Sequence, residues 1–177
     1  MNDPILWGFL AEQHEAGMAL ATSSDLLKLQ PLGRPPYQRY VARYSCRGLR
    51  RLSGGQVVET EDFHVGIRFG DDHLRRLVEP MQVVTLLSPP DVFHPNIRFP
   101  FICLGNIRPG MGLVDLLYQV WEVLSFRKVV VREDDALNAD ACRWARSNQA
   151  RFPTDGRSLK RARRRFEIRA QAPGGGT

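Results

Sequence analysis

Three cysteine thiols are the side chains of this 177-residue chain that are best suited to covalent chemistry. Cys46, Cys103 and Cys142 form neither a disulfide framework nor a closely spaced zinc pattern, so separate thiols are expected. A cysteine thiolate is strongly nucleophilic, and with an acyl group it forms a reactive thioester. At least one of these thiols is therefore a candidate for acyl transfer. The histidines have no paired spacing, so neither a metal site nor another cofactor is predicted.

The segment around Cys103 contains an ordered set of motifs. Phe93-His94-Pro95-Asn96-Ile97 is followed by Ile102-Cys103-Leu104-Gly105. These residues resemble the active-site region of ubiquitin-conjugating enzymes, whose His-Pro-Asn motif precedes an Ile-Cys-Leu that contains the catalytic cysteine. Downstream, Arg108-Pro109 leads into a leucine-rich helix, and residues 134–138 look like the acidic loop of that family. As an order of elements, the resemblance covers roughly residues 37–150.

The resemblance implies roles for five residues. Cys103 would receive the C-terminal carbonyl of a small modifier protein from an activating enzyme, and an amine would then attack the thioester. Asn96 would stabilise the oxyanion of that attack or brace its own loop through backbone hydrogen bonds, and both roles are compatible. His94 would be structural rather than a general base, with Pro95 fixing the turn. Asp135 would orient or deprotonate the amine; the alternative is a solvated loop carboxylate or a helix N-terminal charge.

The chain also departs from the family pattern. Cys103 lies nine residues after His94, one fewer than is usual, so the intervening loop must be shorter. Gly105 stands where an aspartate is common, and Met111 stands where a tryptophan often follows the corresponding proline. These departures concern partner recognition and local geometry more than the assignment of the cysteine.

The other two cysteines are predicted to be packing residues. Cys46 falls in the first predicted strand, and Cys142 falls in a predicted helix beside Trp144. Free cysteine is commonly buried as a small apolar residue. Neither thiol is therefore expected to act as the nucleophile.

The elements that must position Cys103 begin with helix. Asp3-Pro4 is typical of a helix start, and Ser23-Ser24-Asp25 offers a restart, so one bent helix or two short helices would fit before Gly33. Alternating residues from Tyr37, and again over 57–69, then predict two strands of an antiparallel meander.

The second half of the chain is predicted to carry the site and to pack against the sheet. The apolar run 81–87 suits a buried strand, and the prolines between Val92 and Pro109 favour an irregular segment. Leucines at spacings of three and four predict a helix from Gly112, and Asn138 is a plausible cap for another helix at 139–148.

Charge is concentrated near the end of the chain. Between Arg157 and Arg169 there are seven basic residues and one acidic residue. The charge of this segment is therefore +6, the same as the net charge of the whole chain. Phosphates attract arginine, so nucleic acid or an acidic protein surface is a competing partner for this tail. A solvated tail is the commoner meaning of such a run, and nucleic acid is not the expected partner. Residues 1–153 are predicted to form one domain, and residues 154–177 a basic tail.

The sequence therefore predicts an α/β (α+β) domain of the ubiquitin-conjugating type, with an N-terminal helix, an antiparallel meander, an irregular active-site segment and C-terminal helices. The expected partners are a ubiquitin-like modifier, its activating enzyme and a protein acceptor. No apolar run is long enough to cross a bilayer, so a cytoplasmic location and no membrane partner are expected. The alternatives are an inactive binding protein of the same fold, and a nucleic-acid-binding or scaffold protein that acts through its tail.

Low lysine content and the divergent loop resemble bacterial relatives of the family. Such relatives often belong to small operons with an activating enzyme, a modifier and a deconjugating protease. Several are implicated in defence against phage, so the resemblance implies a role of that kind.

Overall fold

The chain forms a mixed α/β structure, seen in a computed structural model that describes residues 3–76, 79–153 and 155–161. Its helices are α1 (Pro4–Thr22), α2 (Pro80–Val83), α3 (Leu113–Leu124) and α4 (Ala139–Ser147). Its strands are β1 (Leu27–Leu32), β2 (Arg39–Tyr44), β3 (Gly48–Arg51), β4 (Val57–Thr60), β5 (Phe63–Arg68), β6 (Val84–Ser88), β7 (Ile97–Arg98) and β8 (Phe101–Ile102). None of the helices within these ranges is long and apolar enough to span a membrane.

Six strands form the main sheet in the order β1-β2-β5-β6-β8-β7, and every neighbouring pair is antiparallel. Strands β3 and β4 form a separate two-stranded sheet. Residues alternate along the strands, so that Tyr40, Ala42 and Tyr44 of β2 are buried while Arg39 and Arg43 are exposed. The predicted combination of an N-terminal helix and an antiparallel sheet is confirmed.

The start of α1 follows the local sequence signal. The carboxylate oxygen Oδ1 of Asp3 accepts hydrogen bonds from the backbone N–H groups of Ile5 and Leu6, at 3.0 and 3.3 Å. Pro4 occupies the first turn, where its missing N–H costs nothing. The helix runs through Gly17 without interruption and ends at Thr22.

The predicted second helix after Ser23 is wrong. Residues 27–32 form the edge strand β1, which pairs with β2 from Leu27 opposite Tyr44 to Leu32 opposite Arg39. The leucines at 27 and 29 are buried, and Lys28 between them is exposed. This period of two belongs to a strand, and it outweighs the helical reading of a short leucine-rich run.

Two predicted strands are shorter than expected. The strand expected over 57–69 is divided at Glu61-Asp62 into β4 and β5, which belong to different sheets. The run from Met81 begins as the short helix α2, and only residues 84–88 form the strand β6. Cys46 lies in the connection between β2 and β3, and not in the first predicted strand.

The two later helices agree with the predictions, and α3 closes the core. Its buried residues face the sheet, and the Tyr44 hydroxyl donates to the backbone carbonyl of Leu117 at 3.0 Å. Helix α1 packs against α3 at Gly17, where an added Cβ would lie 2.6 Å from a methyl carbon of Leu113. The side chain of Asn138 caps α4 by accepting from the Ala141 N–H at 3.0 Å.

The C-terminal strap, residues 155–161, packs against this body. The Asp155 carboxylate is buried and accepts from the backbone N–H of Arg47 at 3.1 Å, and Leu159 is fully buried in the main core. The backbone N–H of Arg161 donates to the Ser23 carbonyl at 2.9 Å. The other basic residues of the predicted tail, Arg163, Arg164, Arg165 and Arg169, lie outside the described residues.

Candidate active site

Cys103 follows strand β8 directly and is partly exposed, whereas Cys46 and Cys142 are buried. Burial, with a further contribution from the charge of Asp155, raises the pKa of the Cys46 thiol to about 12. The Cys142 thiol lies 3.5 Å from the Val130 carbonyl inside the fold. Since a nucleophile must be reached by its substrate, Cys103 is the thiol that is available for chemistry.

The backbone of Cys103 is held by Asn96. The Cys103 N–H donates to the Asn96 carbonyl at 2.8 Å, next to the β7–β8 pair in which Ile97 lies opposite Ile102. The irregular segment predicted between Val92 and Pro109 therefore contains a very short hairpin. Its two strands bring the Asn96 and Cys103 motifs side by side.

The side chain of Asn96 braces two loops. Its Nδ2 donates to the Cys103 carbonyl at 3.3 Å, and its Oδ1 accepts from the Val130 N–H at 2.9 Å. The residue is only 2% exposed, so these bonds are shielded from water. The two bonds connect the Cys103 segment to the loop at Val130. A side-chain amide carries two N–H groups, and the second is not used by these bonds.

His94 occupies a structural position. It is fully buried, its Nδ1 accepts the Asn96 N–H at 2.9 Å, and its ring packs edge-on against Phe126 with 4.2 Å between centroids. Burial lowers the pKa of His94 to about 3. The imidazole is therefore neutral at physiological pH, and its accepting nitrogen is already occupied. These contacts suit a bracing residue rather than a general base.

Pro95 links the active-site segment to the start of α4. Its carbonyl accepts the backbone N–H of Asn138 at 3.2 Å, while the Asn138 side chain caps the helix. Phe93 and Phe126 belong to a small buried cluster beneath this junction, with Leu49 and Ala141. The turn at Pro95 is thus fixed by the fold on both sides.

The acidic loop is a 3₁₀ turn at Glu133–Asp135, and its carboxylates differ in their partners. Asp135 is exposed, and its ion pair is with Arg132 at 3.6 Å. Glu133 pairs with Arg143 at 3.0 Å and also with Arg146. The bond from Val130 to Asn96 brings the start of this loop against the Cys103 segment. Within the described residues no hydrogen bond or ion pair joins Asp135 itself to Cys103 or Asn96.

Lys128 is a site residue that the sequence reasoning missed. Its ammonium donates to the Leu104 carbonyl at 2.5 Å, one residue after the thiol. Gly105 follows with φ of +88°, a left-handed conformation that favours glycine, and a Cβ there would lie 3.8 Å from the Lys128 Nζ. No local signal in the sequence indicates this contact, because it joins residues 24 positions apart.

No protein-family model matches the chain, and no curated protein is significantly similar to it in sequence. The described residues also contain no group of three or more histidine, cysteine, aspartate or glutamate side chains arranged to hold a metal ion.

Proposed function

We propose that the chain is an acyl carrier of the ubiquitin-conjugating type, which accepts a ubiquitin-like modifier on Cys103. In the first step the Cys103 sulfur attacks the thioester of a modifier bound to its activating enzyme. A new carbon–sulfur bond forms, and the thiol of the activating enzyme leaves. In the second step an acceptor amine attacks the same carbonyl carbon, the bond to Cys103 breaks, and the amine proton passes to a base or to water.

The observation that carries this proposal is the setting of Cys103. It is the partly exposed cysteine of the three, and its N–H and carbonyl are both bonded to Asn96. Asn96 is in turn held by His94, so three residues of the resembling motif form one connected unit. A rigid frame of this kind keeps a nucleophile in a fixed orientation, which acyl transfer requires.

The architecture supports the same proposal at a coarser level. An N-terminal helix, an antiparallel sheet, the active-site segment and then two helices follow one another in the order expected for a ubiquitin-conjugating fold. The proposed partners are the modifier, its activating enzyme and an amine of a protein acceptor. In this scheme Asp135 orients the amine or takes its proton from the exposed loop.

The proposal is tested in lysate of cells that carry the gene, which supplies the modifier and the activating enzyme. The purified full chain is added with and without ATP, and the products are separated without reducing agent. The expected product is an ATP-dependent adduct that a thiol reagent removes. Cys103→Ala should abolish it, while Cys142→Ala should keep it because that thiol is buried.

If no ATP-dependent adduct forms, the proposal that the chain carries a modifier on Cys103 is contradicted. An adduct that persists in Cys103→Ala contradicts it as well, since the acyl group would then be carried elsewhere. An adduct that resists thiol reagents in the unmodified chain would also contradict a thioester.

A further inference from the structure

The Lys128 ammonium has no negative partner among the described residues. Its bond goes to the neutral carbonyl of Leu104, and none of the carboxylates in the described ranges forms an ion pair with it. Lys128 is only partly exposed, so water screens its charge incompletely. An unpaired cation in such a position attracts negative groups that approach the site.

The distance from this ammonium to the thiol is limited by the chain itself. The Leu104 carbonyl that accepts from Lys128 belongs to the residue next to Cys103. Covalent geometry therefore keeps the Nζ within roughly 11 Å of the Cys103 sulfur. That is close to the range of about 8–10 Å over which charges act at moderate salt.

Two arginines close to Cys103 in the chain carry further positive charge. Arg98, which lies opposite Phe101 of β8, and Arg108 are exposed, and neither forms an ion pair with a described residue. In the acidic loop, arginines pair with Glu133 and Asp135, while Asp134 forms no ion pair with any residue that the structure describes.

We infer that Lys128 determines acceptor specificity, making the Cys103 site prefer amines flanked by carboxylates over amines flanked by basic residues. This inference rests on the proposed function. The occupant is an acidic segment of an acceptor protein, and charge complementarity with Lys128 selects it. The transfer step is unchanged: the carbon–nitrogen bond forms, the carbon–sulfur bond breaks, and the proton of the amine is released.

The experiment loads the full chain chemically, so that it needs no knowledge of the natural modifier. Cys103 exchanges with a short peptide thioester that ends in Gly-Gly-mercaptoethanesulfonate. The loaded protein is then offered Glu-Lys-Glu or Arg-Lys-Arg peptides with blocked ends. The same peptide is also attached to N-acetylcysteine, and its discharge rates with the two acceptors give the uncatalysed ratio. The ratio of the two rates measured with the loaded protein is divided by this uncatalysed ratio.

The expected preference for the acidic acceptor is about five-fold at low salt, which corresponds to about 1 kcal/mol. It should fall towards one as salt increases from about 0.01 to 0.5 M, because counterions screen the ammonium. Lys128→Met should reduce the preference, Lys128→Glu should reverse it, and Lys128→Arg should keep it. Lys28→Met is the matched control, since that exposed lysine lies in β1 at the opposite edge of the sheet.

The outcomes separate the two claims. If the loaded chain discharges no faster than the N-acetylcysteine thioester, the proposed function is contradicted, and the role of Lys128 is contradicted with it. Faster discharge without an acidic preference, or with a preference unchanged in Lys128→Met and Lys128→Glu, would overturn only the role of Lys128. A preference that is insensitive to salt would also overturn it, because loop packing alone would then explain the effect.

Discussion

Asn96 uses both ends of its side-chain amide within the active-site region. Its Nδ2 donates to the Cys103 carbonyl, and its Oδ1 accepts from the Val130 N–H. Bracing and oxyanion stabilisation can be separated experimentally, because the two roles depend on different atoms. The oxygen matters for the link to the next loop, and the N–H groups matter for the transition state.

Asn96→Asp should keep the bond from Val130 and lose the donor. We expect discharge of a loaded Cys103 to slow by about 10²-fold or more, the typical effect of losing an oxyanion donor. Asn96→Ala should additionally lower the free energy of unfolding by about 1–3 kcal/mol, since two shielded backbone groups lose their partners. Urea denaturation and single-turnover discharge measure the two effects. An Asn96→Asp variant with an undiminished discharge rate would restrict Asn96 to bracing.

His94 should make the fold sensitive to mild acid. Its pKa of about 3 in the folded protein lies below the ordinary value of about 6.5, so the unfolded chain binds the proton first as pH falls. The contribution of neutral His94 to the stability of the fold is fully present above pH 6.5 and is lost progressively as the pH falls towards 3. Between pH 7 and pH 5 the free energy of unfolding should decrease by about 2 kcal/mol from this group.

The pH slope of His94→Asn provides the check. This variant can still accept the Asn96 N–H through its own oxygen, but it has no proton to bind, so its slope should be shallower. Equal slopes for the unmodified chain and His94→Asn would contradict the assignment.

Helices were easier to predict than strands because their ends carry local chemical signals. The caps at Asp3 and Asn138, and the leucine spacing of α3, depend on neighbours within four residues. By contrast, the leucine-rich run after Ser24 became strand β1, because pairing with β2 buries alternate residues. Such pairing is a contact between distant parts of the chain, and a short apolar run does not reveal it.

The same distinction applies to the candidate site. The Asn96–Cys103 neighbourhood followed from an ordered motif, but Lys128 and Val130 reach it from 24 or more residues away. The turn after α3 sets that approach, with Phe126 held at φ of +58° and its ring against His94. No local pattern around Lys128 predicts its bond to Leu104.

Two glycines of α1 should respond oppositely to the same substitution. Gly8→Ala should raise the free energy of unfolding by about 1 kcal/mol, because alanine favours helix and nothing lies within 4 Å of the new Cβ. Gly17→Ala should lower it by about 1–3 kcal/mol, because the added carbon would meet Leu113 at 2.6 Å. Thermal or urea unfolding of both variants tests the α1–α3 contact. Stabilisation by Gly17→Ala would show that the helices are not packed this closely.

At the scale of the whole molecule, the C-terminal strap divides the predicted tail into two parts. Burial alone would raise the pKa of Asp155, but hydrogen bonds from the side chain and backbone of Arg157 and from the Arg47 N–H lower it to about 2. With Leu159 in the core, residues 155–161 belong to the folded body. Any role of the basic tail in binding nucleic acid must therefore be tested without disturbing this strap.

Compared with a chain that ends after Arg161, a chain that ends after Pro153 should lose roughly 2–5 kcal/mol of stability, the usual effect of removing a buried leucine. Leu159→Ala should reproduce most of that loss in the full-length protein. Urea unfolding compares the three. Equal stability of the two truncated chains would mean that the strap adds nothing to the fold.

Salt-dependent binding of nucleic acid is then compared between the full chain and the chain ending after Arg161. Tight binding that this truncation removes, with Cys103 dispensable in cells, would favour the tail as the functional part. Equal binding would show that residues 162–177 are not needed for it.

The chemistry of the bond at residue 103 decides whether Cys103 carries the acyl group. Cys103→Ser should convert the carried acyl group into an oxyester that survives thiol reagents and is cleaved by base. Mass spectrometry of the ATP-dependent adduct should then find the peptide containing residue 103 joined to the C-terminal carboxyl of another protein. A thiol-resistant oxyester at that position is the predicted result. An adduct joined at any other residue, or through any group other than a C-terminal carboxyl, would contradict the assignment of Cys103 as the acyl carrier.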